Sequence, residues 1–127
     1  MNTPPLAFII EDNEDLSTIF AQALQAAGFA PEIITDGAVA SARLAGATPH
    51  IVVLDLHLPQ VEGTELLKQI RADPRLAKTR VVVVSADARL AEMVRDDANI
   101  VLIKPISFNL LRDLTARFRS ILTANNQ

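Results

Sequence analysis

The sequence predicts an α/β domain in which helices cover both faces of a doubly wound, five-stranded parallel sheet. Short runs rich in Val and Ile alternate with longer amphipathic segments along the whole chain. The alternation occurs five times, which is too few units to close a barrel of eight strands. The chain has 127 residues, enough for one domain that buries about two-thirds of its unfolded surface.

The five apolar runs are predicted to be strands because they are short, rich in β-branched residues and bounded by turn residues. Continuous apolar character of this kind is typical of strands that are buried on both faces of a parallel sheet. The runs are Leu6–Ile10, Glu32–Thr35, Ile51–Leu54, Val81–Val84 and Ile100–Ile103.

The first and third helices are predicted from their start and stop signals. The first begins after Asn13, a good N-cap, and ends at Gly28, a good residue to follow a helix. The third begins near Thr64 and ends at Asp73-Pro74, because a residue before proline is disfavoured in the α region.

The other helices are predicted from apolar spacing. The last begins after Ser107, and its predicted apolar face is Leu110, Leu111, Leu114, Phe118 and Ile121. The segments Asp36–Gly46 and Asp87–Asp96 carry weaker patterns. In the second of them, the residues available for burial are Leu90, Met93 and Val94.

Composition excludes several classes of function. The chain has no Cys, which excludes a disulfide framework, a thiolate nucleophile and a Cys-ligated metal site. Its net charge of −3 argues against a nucleic-acid partner, and its apolar runs are too short to span a bilayer. The N-terminus lacks the features of a signal peptide. We expect a cytoplasmic domain over residues 5–123, with residues 1–4 and 124–127 as short tails.

Polar residues follow four of the predicted strands at the edge where an open α/β sheet binds ligands. Glu11 and Asp12 follow the first strand, Asp55 the third, Ser85 the fourth and Lys104 the fifth. If the strand order is 2-1-3-4-5, the first and third strands are neighbours. The three carboxylates then converge.

Three converging carboxylates require either protonation or a cation. Two like charges about 4 Å apart repel by roughly 4 kcal/mol at an effective dielectric of about 20. An all-oxygen cluster with room for phosphate oxygens suits Mg²⁺, and Lys104 adds a fixed positive charge. Because a carboxylate can be the nucleophile that forms an aspartyl-phosphate, this set suggests phosphoryl transfer onto Asp55.

At these residues the chain resembles the receiver domain of two-component response regulators, over nearly its whole length. The matching pieces are Glu11 to Leu16, Leu54 to Pro59 with Gly63 following, Ser85-Ala86 and Lys104-Pro105. The resemblance implies the flavodoxin-like receiver fold. It further implies a phosphoacceptor that assists its own phosphorylation and slow dephosphorylation, and not an enzyme in the ordinary sense.

The resemblance also implies roles for individual residues. Asp55 would accept a phosphoryl group from a sensor histidine kinase or phosphotransferase. Mg²⁺ would be held by Glu11, Asp12, Asp55 and the backbone carbonyl of His57. Ser85 and Lys104 would contact the phosphoryl oxygens.

Output is implied to occur through contacts with an unknown downstream protein, because five β-α units use up the 127 residues. The implied docking face combines the fourth helix, fifth strand and last helix, and it allows a homodimer. We expect no nucleic-acid and no membrane partner.

The chain departs from the family pattern near the fifth strand. Val101 stands where the family usually places an aromatic switch residue, and Asp96 to Asn99 replace the usual Gly-Ala. One alternative therefore stays open, a degenerate receiver that acts as a phosphorylation-independent interaction module. A phosphatase of the haloacid dehalogenase type would need a second Asp two positions after Asp55, where this chain has His57.

Overall fold

The computed structural model describes residues 3–125 of the chain, and the side chains of residues 3–122. The strands pair in parallel in the order β2-β1-β3-β4-β5, which confirms the predicted fold class and strand order. They are β1 (Leu6–Ile10), β2 (Ala30–Ile34), β3 (Ile51–Asp55), β4 (Arg80–Ser85) and β5 (Ile100–Ile103).

Each strand is followed by a helix. The helices are α1 (Glu14–Ala26), α2 (Gly37–Gly46), α3 (Gly63–Ala72), α4 (Ala88–Met93) and α5 (Phe108–Asn125), with 3₁₀ turns at Pro74–Leu76 and Arg95–Asp97. Helix α5 thus extends into the predicted tail 124–127. Residues 1, 2, 126 and 127 of the two predicted tails lie outside the described residues. Within residues 3–125, no helix has both the length and the apolar character needed to cross a membrane.

Alternation along the strands divides the core into two apolar clusters, one on each face of the sheet. Phe8, Ile10 and Val52 point toward α2 and α3, whereas their chain neighbours Ile9 and Val53 point toward α1 and α5. Strands β1, β3 and β4 are therefore almost wholly buried. The polar residues of these central strands lie at the strand ends.

The helix boundaries follow from local chemistry, as the sequence predicts. The Asn13 side chain accepts a hydrogen bond from the Leu16 N–H, and Asp36 caps α2 in the same manner. Helix α1 ends before Gly28, whose φ of +102° is a left-handed conformation that glycine adopts without a steric cost. Helix α3 ends at Ala72, and its C-cap Asp73 lies directly before Pro74.

The structure corrects the predicted start of β2 and the predicted buried faces of α4 and α5. Strand β2 begins at Ala30 and not at Glu32, because Pro31 is tolerated on an edge strand, where a missing N–H costs no ladder bond. In α4, Ala91 is the buried residue and Met93 is 79% exposed. In α5, Leu110 and Ile121 are exposed, since the packed stripe is Leu111, Thr115, Phe118 and Leu122.

One ion pair on the β2 edge gives the stability a predictable pH dependence. The Arg43 guanidinium donates two hydrogen bonds of 2.8 Å to the Glu32 carboxylate and lowers its pKa below the ordinary 4.5. A carboxyl with a depressed pKa contributes stability above its unfolded pKa and loses it as the pH falls through the folded pKa. We therefore expect Glu32→Gln to lower the thermal unfolding midpoint slightly at pH 7.

Thermal unfolding across a pH series checks this expectation. The difference between Glu32→Gln and the wild type should shrink as the pH falls below 4.5. Glu62→Gln is a suitable control, since Glu62 is exposed and makes no side-chain cap bond to α3. A difference that stays constant from pH 7 to pH 3 would contradict the role of the ion pair.

Candidate functional site

The register of the sheet brings the predicted residues to one edge. Ile10 pairs with Leu54, so Glu11 and Asp55 lie side by side at the ends of neighbouring strands. Asp55 pairs with Val84, one residue before Ser85, and Ser85 pairs with Ile103. Glu11, Asp55, Ser85 and Lys104 therefore all lie at the carboxyl ends of four adjacent strands, where open α/β sheets bind ligands.

Three carboxylates form the centre of this edge. Oxygens of Glu11, Asp12 and Asp55 all lie within 4.8 Å of one another. Glu11 and Asp55 are buried, whereas Asp12 is exposed and opens the cluster to solvent. The three carboxylates therefore converge, as expected from the strand order.

Lys104 supplies the positive charge of the cluster. Its Nζ lies 2.9 Å from Glu11 Oε1 and 3.5 Å from Asp55 Oδ2. Burial disfavours the charged ammonium, but the hydrogen bond to Glu11 and the charge of Asp55 outweigh burial and raise the pKa of Lys104. The lysine is therefore fully charged at neutral pH and contacts two of the three carboxylates.

Both carboxylate oxygens of Glu11 have a partner. Its Oε2 accepts a hydrogen bond of 3.2 Å from the Asn13 N–H, while Oε1 contacts Lys104. Burial raises the pKa of Glu11; the bond to Lys104 opposes that rise, and neighbouring Asp55 adds to it. Sequence reasoning identified Asn13 as a helix cap but missed this second contact of its backbone.

The backbone of His57 holds the Asp55 carboxylate, and the start of α3 lies close to the Asp55 carbonyl. Asp55 Oδ1 accepts a hydrogen bond of 3.1 Å from the His57 N–H, and the His57 side chain is exposed. A Cβ at Gly63 would lie 2.3 Å from the Asp55 carbonyl oxygen, so only glycine allows α3 to begin so close to this strand end. The resemblance included Gly63, but the reason for a glycine there is visible only in the fold.

Ser85 is fully buried, and its hydroxyl is hydrogen-bonded to the backbone of Asp87. Asp87 was not among the predicted site residues. The signal that points to it is the Ser-x-Asp spacing at the start of a helix, where short polar side chains bond local backbone groups. Val101 lies half-buried on β5 and packs with Leu90 and Val94 against the α2–α3 side of the core.

The donor set fits a hard divalent cation. Three carboxylates within reach of one another carry a charge that a single ammonium does not balance. Oxygen ligands in a partly open site are the kind that Mg²⁺ takes. The same carboxylates, with Lys104 beside Asp55, can also support phosphoryl chemistry at the Asp55 carboxylate.

Comparison with known proteins identifies the family. Residues 7–116 match the sequence profile described as Response regulator receiver domain. The chain belongs to that family. This receiver domain is therefore a signalling domain of the two-component type. Its family also includes longer regulators.

The relatives of the receiver domain include longer proteins. It is 36% identical over 116 residues to the sensory transduction protein RegX3 of Mycobacterium tuberculosis, covering 90% of this chain and 49% of RegX3. The chain spans about half the length of the first curated relatives it matches.

Solved structures share the fold of the receiver domain. A CheY-like receiver from Methylobacillus flagellatus superposes with a TM-score of 0.79 at 27% identity, covering 91% of this chain and 98% of that one. The receiver of the histidine kinase PA1611 from Pseudomonas aeruginosa has a TM-score of 0.80 at 20% identity, covering 91% and 97%.

Proposed function

We propose that this receiver domain is a phosphorylation-dependent switch whose phosphoryl acceptor is Asp55. The observation that carries the proposal is the Asp55 carboxylate itself. It is buried at the sheet edge, beside two further acids, and its Oδ2 lies 3.5 Å from the Lys104 ammonium. Three clustered acids beside a single ammonium are costly in a folded protein, so this arrangement supports a role in which a cation and a phosphoryl group complete the charge balance.

The proposed reaction transfers one phosphoryl group. A carboxylate oxygen of Asp55 forms a bond to phosphorus, and the bond from phosphorus to the donor breaks. The donor, the imidazole of a kinase or phosphotransferase histidine, leaves with the electron pair of that bond. Lys104 stabilises the charge that spreads over the phosphoryl oxygens in transfer, and the proposed role of Ser85 is to donate a hydrogen bond to one of them.

Magnesium is the proposed cofactor. Glu11, Asp12 and Asp55 would hold it, together with the predicted backbone carbonyl of His57. The ion would supply the positive charge that neutralises phosphoryl oxygens beside three carboxylates. A magnesium ion is coordinated in the active site cleft of the PA1611 receiver, which supports this choice of metal.

The proposed partners are a sensor histidine kinase or phosphotransferase as donor and a downstream protein as target, in the cytoplasm. The predicted docking face of α4, β5 and α5 includes exposed apolar side chains at Met93, Ile103 and Leu110, which support protein contact and a homodimer. One of the longer relatives, RpaA of Synechocystis, is named as a DNA-binding regulator.

Intact mass spectrometry with acetyl phosphate tests the proposal. With Mg²⁺ present, we expect the purified protein to gain one phosphoryl group, with acetate as the leaving group. Removal of Mg²⁺ by a chelator should abolish the gain, because the carboxylates then repel the incoming phosphate. A protein that never gains the group with Mg²⁺ present would instead support the alternative, a degenerate receiver that acts only as an interaction module.

A further inference from the structure

A cavity of about 490 Å³ lies beneath the amino ends of β4 and β5, at the edge of the sheet opposite Asp55. We call it the basal cleft. Its walls come from the end of α3, the residues around the start of β4, the segment before β5 and the later turns of α5. Small-molecule sites in proteins have volumes of about 300 to 1,000 Å³, so the basal cleft is large enough for an organic ligand.

The charges around the basal cleft favour a monoanion. Its cations are Arg71, Lys78 and Arg80, and its carboxylates are Asp96 and Asp97. The described lining therefore carries one positive charge in excess. Within the described part of the chain, neither Lys78 nor Arg80 forms an ion pair. A ligand with a single negative charge balances the excess, whereas the two carboxylates repel a more highly charged anion.

Arg71 is fixed in the wall of the basal cleft by neutral acceptors. Its guanidinium donates hydrogen bonds to the Asp97 carbonyl (2.7 Å), the Thr79 carbonyl (3.1 Å) and Asn99 Oδ1 (2.9 Å). Burial lowers the pKa of Arg71; the charge of Asp97 opposes that effect, and the charge of Arg80 adds to it. The guanidinium groups of Arg71 and Arg80 therefore repel each other, and a bound anion would relieve this repulsion.

Arg80 joins the charged wall of the basal cleft to an apolar wall. Its Cζ lies 5.6 Å from the centre of the Phe118 ring, a cation–π contact that holds the guanidinium in place. Its N–H groups have no hydrogen-bond acceptor among the described residues, and a guanidinium offers donors that match a carboxylate. Ile121 and Leu122 continue the apolar wall on α5, and Ile121 is 43% exposed. A ligand that satisfies both walls has an anionic head and an apolar body.

We infer that the basal cleft binds a small organic monoanion, in which a carboxylate is joined to an apolar body. Arg80 and Lys78 bind the carboxylate, and the apolar body covers Ile121 and Leu122. Covering Ile121 removes apolar surface from water, which adds to the affinity. The inference does not depend on the proposed function, because the basal cleft and Asp55 lie at opposite edges of the sheet.

Amide NMR titrations of the whole chain with octanoate, 1-octanol and acetate test the inference. Octanoate should shift the amide signals of Arg80, Asn99 and Phe118 and reach saturation. The uncharged 1-octanol should bind about tenfold more weakly, because it forms no charge-assisted hydrogen bond. Acetate lacks the apolar body and should not saturate over the same concentrations. Equal affinity for octanoate and 1-octanol would overturn the inference, as would octanoate shifts that are absent or confined to residues outside the basal cleft.

Arg80→Met tests the role of the cation, since it removes the charge and keeps an apolar stem. It should weaken octanoate binding about tenfold and leave 1-octanol binding unchanged. Lys78→Met should weaken octanoate binding about threefold, and the exposed position of Lys78 makes a loss of folding unlikely to confuse the result. Thermal unfolding shows whether each variant is folded, and Lys78→Met decides the matter if Arg80→Met is not.

Arg117→Met is the matched control. Arg117 is exposed, directly precedes Phe118 on α5 and does not line the basal cleft. This variant should bind octanoate as the wild type does. Octanoate binding that stays at the wild-type level in the folded Arg80→Met and Lys78→Met proteins, or that weakens equally in Arg117→Met, would overturn the assignment of the basal cleft as the carboxylate site.

Discussion

Asp55→Ala should abolish the phosphoryl gain from acetyl phosphate completely, since it removes the oxygen that would bond to phosphorus. The variant should still fold. Asp55 adds to the raised pKa of Glu11, so its removal relieves repulsion and leaves Glu11 paired with Lys104 at 2.9 Å. Intact mass spectrometry measures the gain, and thermal unfolding shows that the fold is retained.

Asp113→Ala is the control for Asp55→Ala. Asp113 is an exposed carboxylate on α5 that pairs with neighbouring Arg112 and does not belong to the acidic cluster of Glu11, Asp12 and Asp55. The Asp113→Ala protein should gain one phosphoryl group, as the wild type does. A folded Asp55→Ala protein that still gains a phosphoryl group would show that another residue is the acceptor.

Gly63→Ala should both destabilise the protein and impair phosphorylation. The added Cβ would lie 2.3 Å from the Asp55 carbonyl oxygen and 2.5 Å from Leu56 Cα, both of them backbone atoms that cannot rotate away. Crowding of this kind costs about 3 kcal/mol of unfolding free energy. Because the displaced backbone carries Asp55, we expect the rate of phosphoryl gain to fall as well.

Gly46→Ala is a matched change at a glycine without neighbours. A Cβ at Gly46 meets nothing within 4 Å, and Gly46 is the last residue of α2. Alanine there should stabilise the protein by about 0.5 kcal/mol, because the unfolded chain loses freedom. Chemical denaturation compares the two variants. A Gly63→Ala protein as stable as Gly46→Ala would contradict the close approach of α3 to Asp55.

Much of the fold can be predicted from the sequence, because the helix caps and the apolar spacing indicate the same elements that the folded core buries. Asn13 and Gly28 bound α1 in the structure as they do in the sequence. Leu110 and Ile121 on α5 are exposed, contrary to the prediction. The apolar residues of this helix cover more than one stripe of its surface, and their spacing alone does not determine which stripe faces the sheet. Helix α4 is too short and too exposed for periodicity to define its buried side.

The sequence predicts which residues form the candidate site but not the hydrogen bonds and ion pairs among them. Strand order brings Glu11, Asp55 and Lys104 together, and this follows from pattern and topology. The Lys104 ammonium lies nearer to Glu11 than to Asp55. This difference depends on side-chain conformation, which the spacing of residues in the sequence does not predict. The contacts of Asn13 and Asp87 are backbone hydrogen bonds, and only the folded chain reveals them.

Chemical mapping of the phosphoryl group tests the central claim most directly. The protein is phosphorylated with acetyl phosphate and Mg²⁺, reduced with borohydride and sequenced as peptides by mass spectrometry. Reduction converts an aspartyl-phosphate to homoserine, so we predict homoserine at position 55 in the treated protein and aspartate there in an untreated sample. A reduced residue at Glu11 or Asp12, or a phosphate on the exposed His57, with position 55 unchanged, would contradict the claim that Asp55 is the acceptor.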